Sequence, residues 1–215
     1  MATSGYKTLL VEGSDDCHAI VNLMSAYIPW GRTESEWPVK VKRCGSVDTL
    51  LDKHSIPLEL KSNEARILGV VIDSNDEFEA RWGKIRARCV SVFPNCPPQL
   101  PESGLVISNI EGQRFGAWVM PDNTSRGMLE TFLLHLVPPE QAGLRQYADA
   151  AVSQAQARGA PFRDAHREKA LIHTWLAWHD PPGRPFGQAL AAKALDPGSI
   201  NARPFVDWFR ELFKI

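Results

Sequence analysis

Apolar and polar positions follow two different periods along the chain, and they predict alternating strands and helices up to residue 137. Runs of apolar, often β-branched residues at 7–11 and 66–72 are typical of strands buried on both faces of a parallel sheet. A short turn at 111–114 favours an antiparallel hairpin of the last two strands. The predicted strands are 7–11, 39–44, 66–72, 105–110 and 115–120, and the predicted helices are 14–28, 46–51, 78–92 and 127–136.

The pattern changes to helices alone after Pro139. Apolar stripes predict helices at 140–157, at 164–179 and from Pro204 onward, since proline is tolerated in the first turn of a helix. The proline pair that ends at Pro139 is either a domain boundary or a plain turn between helices. Strand–helix alternation followed by helices predicts an α/β protein with a mainly parallel sheet and a helical extension packed on it. The predicted division is 1–137 for the α/β domain and 138–215 for the all-helical extension.

Acidic residues directly follow two of the predicted strands. Glu12 and Asp16 lie in the turn after the first strand, and Asp73, Asn75 and Asp76 lie in the turn after the third. The carboxyl ends of parallel strands form one edge of a sheet, where ligands bind in open α/β folds. Carboxylates brought together there repel one another unless a divalent cation neutralises them, and all-oxygen ligand sets suit Mg²⁺ or Mn²⁺. The pattern therefore predicts a metal site at this edge.

Composition and charge limit the classes of function. A formal net charge of −1 gives no electrostatic footprint for constitutive, tight nucleic-acid binding, although bound cations would offset acidic residues locally. The four cysteines lack CxxC spacing, which favours buried free thiols in a reducing cytoplasm. The sequence shows no signal-like segment and no apolar run of membrane-spanning length. We therefore expect a cytoplasmic protein without a membrane partner.

Three segments together carry a resemblance to a known superfamily. They are the Glu-Gly-Ser-Asp-Asp turn at 12–16, the acidic turn at 73–77, and the segment 115–123 with the Gly-Met-Leu-Glu sequence at 127–130 after it. In this order they resemble the Toprim domain of topoisomerases, primases and overcoming-lysogenization-defect nucleases, and they are most similar to a small prokaryotic Toprim-like family. With the helical tail, the resemblance covers nearly the whole chain. It implies a Toprim-like, Rossmannoid sheet and a phosphoryl-transfer enzyme that uses Mg²⁺ or Mn²⁺.

The resemblance also implies roles for individual acidic residues. Glu12 matches the Toprim glutamate that ligates metal and is credited as general acid or base, and Asp73 is the second catalytic candidate. One ion would be held by these two residues with Asn75 or Asp76. The carboxylates of Glu12, Asp73 and Asp122 are expected to face a common cleft. The candidates that would hold or orient a second ion are Asp16, Asp122 and Glu130.

Several of these acids have an ordinary structural alternative. Glu12 could be a surface carboxylate stabilised by the dipole of the following helix. Two acids at 15 and 16 are common in the first turn of a helix, and we expect Asp15 to be the cap and Asp16 the metal ligand. Asp122 precedes an asparagine, so it could instead cap the next helix or form an Asx turn.

Asn75 departs from the Asp-x-Asp motif of the superfamily. Its amide oxygen is able to bind a cation, but it lacks the negative charge that a strongly hydrated Mg²⁺ prefers. Either Asp76 takes its place, or the metal affinity is reduced. This substitution argues against a fully active enzyme.

Basic residues supply candidate contacts to a nucleic acid. Arg81, Lys84 and Arg88 lie three and four residues apart on the helix predicted at 78–92. This spacing gives either a phosphate-binding stripe or a solvated helix face.

The histidines supply weaker candidates. His18 lies on the helix that follows Glu12 and is either an acid/base or phosphate donor or a structural residue. His166, His173 and His179 indicate helix-surface polarity rather than a zinc site, because no cysteine or acid stands at the spacing of zinc ligands.

The leading hypothesis is a metal-dependent nuclease that acts on DNA or RNA, in which metal ions activate water and stabilise charge on the phosphate. Overcoming-lysogenization-defect nucleases work with an ATPase, and this chain has no GxxxxGK[ST] motif, so an ATPase would be a separate subunit. The alternative is a non-catalytic binding or assembly module that keeps the Toprim scaffold within a multi-protein defence or repair system. Asn75 and the nearly neutral charge favour that alternative.

Overall fold

A five-stranded sheet of mainly parallel strands forms the centre of the protein, in the order β2-β1-β3-β5-β4. The computed structural model describes residues 6–61 and 65–215. All neighbouring strands are parallel except β4 and β5, which form an antiparallel pair at one edge. This confirms the predicted α/β class and the edge hairpin. The strands are β1 (Tyr6–Val11), β2 (Lys40–Arg43), β3 (Ala65–Asp73), β4 (Leu105–Ser108) and β5 (Arg114–Met120).

Helices connect the strands and make up the region after residue 137. Two short helices, α3 and α8, have no counterpart in the sequence prediction, because a helix of six or seven residues shows hardly one repeat of the helical apolar period. The helices are α1 (Ser14–Met24), α2 (Val47–Leu50), α3 (Ser55–Lys61), α4 (Phe78–Cys89), α5 (Leu129–Leu134), α6 (Ala142–Ala157), α7 (Arg167–Ala177), α8 (Phe186–Ala191) and α9 (Arg203–Phe213).

The central strands β1, β3 and β5 are buried on both faces of the sheet, and their successive side chains enter two different apolar clusters. In β1, Leu9 and Val11 belong to the apolar cluster that includes α1 and α5–α9, whereas Leu10 belongs to the cluster beneath α2–α4. Phe205 of α9 and Trp118 of β5 lie in the same cluster, with ring centroids 5.4 Å apart. The helices after residue 137 therefore share a hydrophobic core with the sheet.

Two glycines allow α9 to lie directly on the sheet. Gly69 of β3 and Gly116 of β5 are register partners on neighbouring strands. A Cβ atom on Gly116 would lie 2.5 Å from Cδ2 of Leu212, and a Cβ on Gly69 would lie 3.0 Å from the same atom. Leu212 is fully buried, so it has no room to move away. The absence of side chains at these positions thus fixes how closely the C-terminal helix packs.

The four cysteines are free thiols, and Cys17, Cys89 and Cys96 are buried while Cys44 is half-buried. Within residues 6–61 and 65–215, no helix has the length and apolar character needed to cross a lipid bilayer.

We predict that Gly116→Ala lowers the free energy of unfolding by about 1–3 kcal/mol, because the added methyl group overpacks the contact with Leu212. Urea unfolding followed by circular dichroism measures this change. The matched control is Gly83→Ala in α4, where a Cβ would meet nothing within 4 Å. That variant should be neutral or more stable by about 0.5–1 kcal/mol, because alanine favours the helix. Equal effects of the two substitutions would contradict the packing argument.

Candidate functional site

A cleft of about 650 Å³ opens at the carboxyl edge of the sheet, above β1 and β3. From β1 the chain passes to β2 on one side, and it then crosses back to β3 on the other side of β1. This reversal is a topological switch point, the place where ligands bind in open α/β sheets. Acidic residues from three different parts of the chain line the cleft: Glu12, Asp15, Asp16, Asp73 and Glu130.

Hydrogen bonds from backbone amides tie the carboxylates of Glu12 and Asp73 to neighbouring elements. Glu12 follows β1, and its Oε1 accepts a hydrogen bond of 3.0 Å from the backbone N–H of Asp73, the last residue of β3. Oδ1 of Asp73 in turn accepts a hydrogen bond of 2.9 Å from the backbone N–H of Leu129, at the start of α5. The expected meeting of Glu12 and Asp73 is confirmed, and each of these hydrogen bonds uses one of the two oxygens of a carboxylate.

Asp16 both caps α1 and lines the cleft. Its Oδ2 accepts a hydrogen bond of 2.8 Å from the backbone N–H of Gly13, the residue before the helix. The prediction that Asp15 is the structural cap is therefore wrong, and Asp15 is exposed. An acid at the third helical position reaches back to the residue before the helix, as glutamate does in a capping box. This explains why Asp16 rather than Asp15 is the cap.

Glu130 reaches the cleft from the first turn of α5 and is paired with a residue that sequence analysis missed. Its Oε1 lies 2.9 Å from Nζ of Lys169, which belongs to α7. Lys169 and His166 both line the cleft, so the helical region after residue 137 contributes one wall of it. No periodic signal connects Lys169 with Glu130, because their contact depends on how α7 packs against α5.

Burial and mutual repulsion disfavour negative charge in the cleft. We use the name acidic cluster for Glu12, Asp16, Asp73 and Glu130. Burial, reinforced by Glu12 and Glu130, raises the pKa of Asp16 from 3.8 to about 6. Burial, with the charges of Asp16, Glu12 and Glu130, holds the pKa of Asp73 well above its usual value. Burial also raises the pKa of Glu12, although the hydrogen bond from Asp73 and the charge of Arg81 oppose the shift. These are the conditions under which a cation would bind to oxygen ligands.

Asn75 lines the same cleft, whereas Asp76 does not. The backbone of Asn75 exchanges hydrogen bonds of 2.7 and 3.1 Å with Gly127 at a φ of +49°, a conformation that asparagine tolerates. Asp76 is exposed in an adjoining cleft, with its Oδ1 3.9 Å from Arg126. The structure therefore disfavours the alternative in which Asp76 takes the place of Asn75 as a metal ligand.

Asp122 does not join the cleft. Its Oδ1 accepts hydrogen bonds of 3.0 and 2.7 Å from the backbone N–H groups of Thr124 and Ser125. These bonds overcome the opposing effect of burial and lower the pKa of Asp122. The expectation that Asp122 shares a cleft with Glu12 and Asp73 is therefore wrong, because its carboxylate organises the turn after β5 as the Asx-turn alternative describes.

The prediction that Arg81, Lys84 and Arg88 form one basic surface on α4 is also wrong. Arg81 is buried, with its guanidinium 3.5 Å from the carboxylate of Glu77, whereas Lys84 is exposed. Arg88 donates through Nε to the backbone oxygen of Leu51 at 3.2 Å. None of the three lines the acidic cleft, and neither does His18, which is exposed on α1. The spacing along α4 cannot show which of its residues turn inward, because that depends on packing against the sheet.

The ligand chemistry of the acidic cluster fits a hard divalent cation, since carboxylate and amide oxygens are the ligands that Mg²⁺ and Mn²⁺ prefer. Among the residues that the structure describes, however, no three histidine, cysteine, aspartate or glutamate side chains stand in a ready-made chelating group. The hydrogen bonds from Asp73 and Leu129 and the ion pair with Lys169 account for the present orientation of the carboxylates. A cation that takes Glu130 as a ligand would meet the Lys169 ammonium, which is already paired with this carboxylate.

Residues 6–214 match a family model described as a protein of unknown function, DUF3226. The chain belongs to the DUF3226 family. No curated protein and no solved structure matches the chain. The DUF3226 match includes β1, β3, α5 and α7, so every element that contributes to the cleft lies inside the family region.

We predict that the Asp16 carboxyl destabilises the metal-free protein increasingly as the pH rises from about 4 to about 6, the range between its ordinary and its raised pKa. The folded state holds a proton on this carboxyl that the unfolded state releases, so ionisation favours unfolding. Asp16→Asn should therefore raise the free energy of unfolding by about 1–3 kcal/mol at pH 8 and have little effect at pH 4.

Urea unfolding in the presence of EDTA at the two pH values measures this difference. Asp15→Asn is the matched control, because it removes the same charge from the exposed neighbour. If Asp15→Asn stabilises the protein as much as Asp16→Asn, burial of the Asp16 carboxylate is not the cause.

Proposed function

We propose that the protein is a divalent-metal-dependent phosphoryl-transfer enzyme, a nuclease that cleaves DNA or RNA. One observation carries the proposal: the acidic cluster, which comes from β1, α1, β3 and α5, lines a single cleft at the topological switch point of the sheet. Charged groups are concentrated there at a cost to stability, and a cost of this kind is common at functional sites.

Glu12, Asp73 and Glu130 are the residues that would hold the cation, with the amide oxygen of Asn75 as a further ligand. When bound, the cation supplies Lewis-acid stabilisation of the phosphate and a more acidic water molecule. The backbone N–H groups of Asp73 and Leu129 orient the carboxylates before the substrate arrives. Glu12 is half-buried with a raised pKa, which suits a group that accepts a proton from water. Because Asp122 lies outside the cleft, we do not propose the two-ion arrangement that included it.

The resemblance to Toprim domains supports the same proposal from the sequence side. It joins Glu12 and Asp73 to a family of phosphoryl-transfer sites, and it suggests a separate ATPase subunit as the partner of a cytoplasmic nuclease. The hydrogen bond from the backbone of Asp73 to Glu12 supports a shared role of these two residues at one edge of the sheet.

A non-catalytic binding or assembly module is the second candidate. Two observations favour it: Asn75 supplies no charge where the superfamily motif has an acid, and Lys169 already neutralises part of the acidic cluster. A module of this kind would keep the carboxylates for a partner rather than for a cation.

We predict that cleavage of single- or double-stranded DNA or RNA requires Mn²⁺ or Mg²⁺ and that Glu12→Gln reduces it by about 10²-fold or more, since the variant loses both a ligand and a base. Glu111→Gln in the exposed β4–β5 turn is the matched control and should retain full activity. Cleavage that survives Glu12→Gln would place the activity elsewhere. Absence of cleavage with either ion, with and without a partner ATPase, would favour the binding module.

We predict that activity is stronger with Mn²⁺ than with Mg²⁺, because Mg²⁺ gives up its hydration shell reluctantly when a ligand is uncharged. Asn75→Asp should raise the Mg²⁺-supported rate several-fold, and aspartate also tolerates the positive φ at this position. Asp76→Asn should leave the rate unchanged, because Asp76 lies in the adjoining cleft. A larger effect of the Asp76 substitution than of the Asn75 substitution would place the metal in the adjoining cleft and contradict this assignment.

A further inference from the structure

Lys169 belongs to the helical region after residue 137, yet it lines the acidic cleft of the sheet. It projects from α7 into the cleft, where its Nζ lies 2.9 Å from Oε1 of Glu130. Among the described residues that line this cleft, Lys169 is the one lysine or arginine. The hydrogen bond and charge of Glu130 raise the pKa of Lys169, with smaller contributions from Asp15 and Asp73. Its ammonium therefore sits within the field of the acidic cluster.

The two partners of this ion pair differ in mobility. The side chain of Glu130 is 5% exposed and that of Lys169 is 49% exposed. The carboxylate is held in place by its burial in α5, whereas the ammonium is a compact charge on a flexible four-carbon stem. A change at the site would therefore move Lys169 rather than Glu130.

The helix that carries Lys169 has separate attachments, so it remains docked when this side chain moves. Thr131 Oγ1 lies 3.3 Å from Oε2 of Glu168, which joins α5 to the first turn of α7. Arg167 forms an ion pair of 2.6 Å with Asp149 of α6. Loss of the Lys169–Glu130 contact would thus leave the walls of the cleft where they are.

A buried carboxylate without a counter-charge is costly, and Lys169 removes that cost for Glu130 while no metal is bound. A divalent cation held by the acidic cluster would supply the same neutralisation, and at close range it would repel the ammonium. The ammonium on Oε1 therefore disfavours a cation on the same carboxylate, and the cation disfavours the ammonium.

We propose that Lys169 is a built-in counter-ion that competes with the divalent cation for Glu130, so that α7 sets the cation affinity of the cleft. The competition rests on the proposed function, because it requires a cation site among these carboxylates. The counter-ion role does not rest on the proposed function, since it concerns the metal-free protein. The two parts are therefore tested separately.

The counter-ion role is tested with a double-mutant cycle of Lys169→Met and Glu130→Gln in EDTA at pH 8, read as the midpoint of thermal unfolding. Lys169→Met alone should lower Tm by several degrees, because it leaves the Glu130 carboxylate buried and unpaired. Lys169→Met should lower Tm much less in a Glu130→Gln background. An equal fall in both backgrounds would overturn the counter-ion role.

The competition is tested by Mn²⁺ titration without substrate, with free Mn²⁺ measured by electron paramagnetic resonance. Lys169→Met should bind Mn²⁺ roughly tenfold more tightly than the wild type, since binding no longer displaces an ammonium. Lys53→Met is the matched control: it removes the same charge from an exposed turn outside the cleft and should bind as the wild type does. Lys169→Arg keeps the charge and should show no gain. Lys169→Gln also removes the charge, keeps a polar side chain, and should gain as much as Lys169→Met, which covers the case in which Lys169→Met is poorly folded.

The outcomes separate the two proposals. Equal or weaker binding by Lys169→Met than by the wild type would overturn the competition while the metal site stands. A gain in affinity by Lys169→Arg or Lys53→Met equal to that of Lys169→Met would also overturn it. If neither the wild type nor Lys169→Met binds Mn²⁺, the proposed metal-dependent function and the competition both fail.

Discussion

Repulsion among carboxylates that are held close together is the constraint on which the functional interpretation depends. Glu12, Asp16, Asp73 and Glu130 line one cleft, and burial and mutual charge raise the pKa of Glu12, Asp16 and Asp73. A protein selected for stability alone would gain by replacing these groups with amides or apolar residues. Their presence is therefore explained best by a ligand that carries positive charge.

The topology of the sheet creates this concentration of charge. Because the chain leaves β1 in one direction and returns to β3 in the other, the residues at the carboxyl ends of these strands meet at the switch point of the sheet, where the cleft opens. The helices after residue 137 complete the site, since Lys169 and His166 line its wall. Close packing of α9 over Gly69 and Gly116 joins that helical region to the same sheet. The architecture and the chemistry of the cleft thus depend on both parts of the chain.

The parts of the fold and the site that sequence could predict are those governed by short-range patterns. Apolar runs predict β1 and β3, and they therefore also predict that Glu12, which follows β1, and Asp73, which ends β3, lie at one edge of the sheet. Asp122 also follows a strand, but its carboxylate bonds to its own turn, which an acid-after-strand rule does not distinguish from a ligand. Lys169 was missed because its contact with Glu130 spans two helices with no shared period. The Toprim resemblance and the nuclease activity stay predictions.

Location of a bound cation by crystallography tests the central claim most directly. Crystals soaked in millimolar Mn²⁺ and measured at a wavelength at which manganese scatters anomalously should show a peak within coordination distance of Glu12 and Asp73. Lys169 should also have moved away from Glu130 in those crystals. A cleft without an anomalous peak, with Asp73 and Leu129 still donating to the same carboxylates and Lys169 still paired, would contradict it.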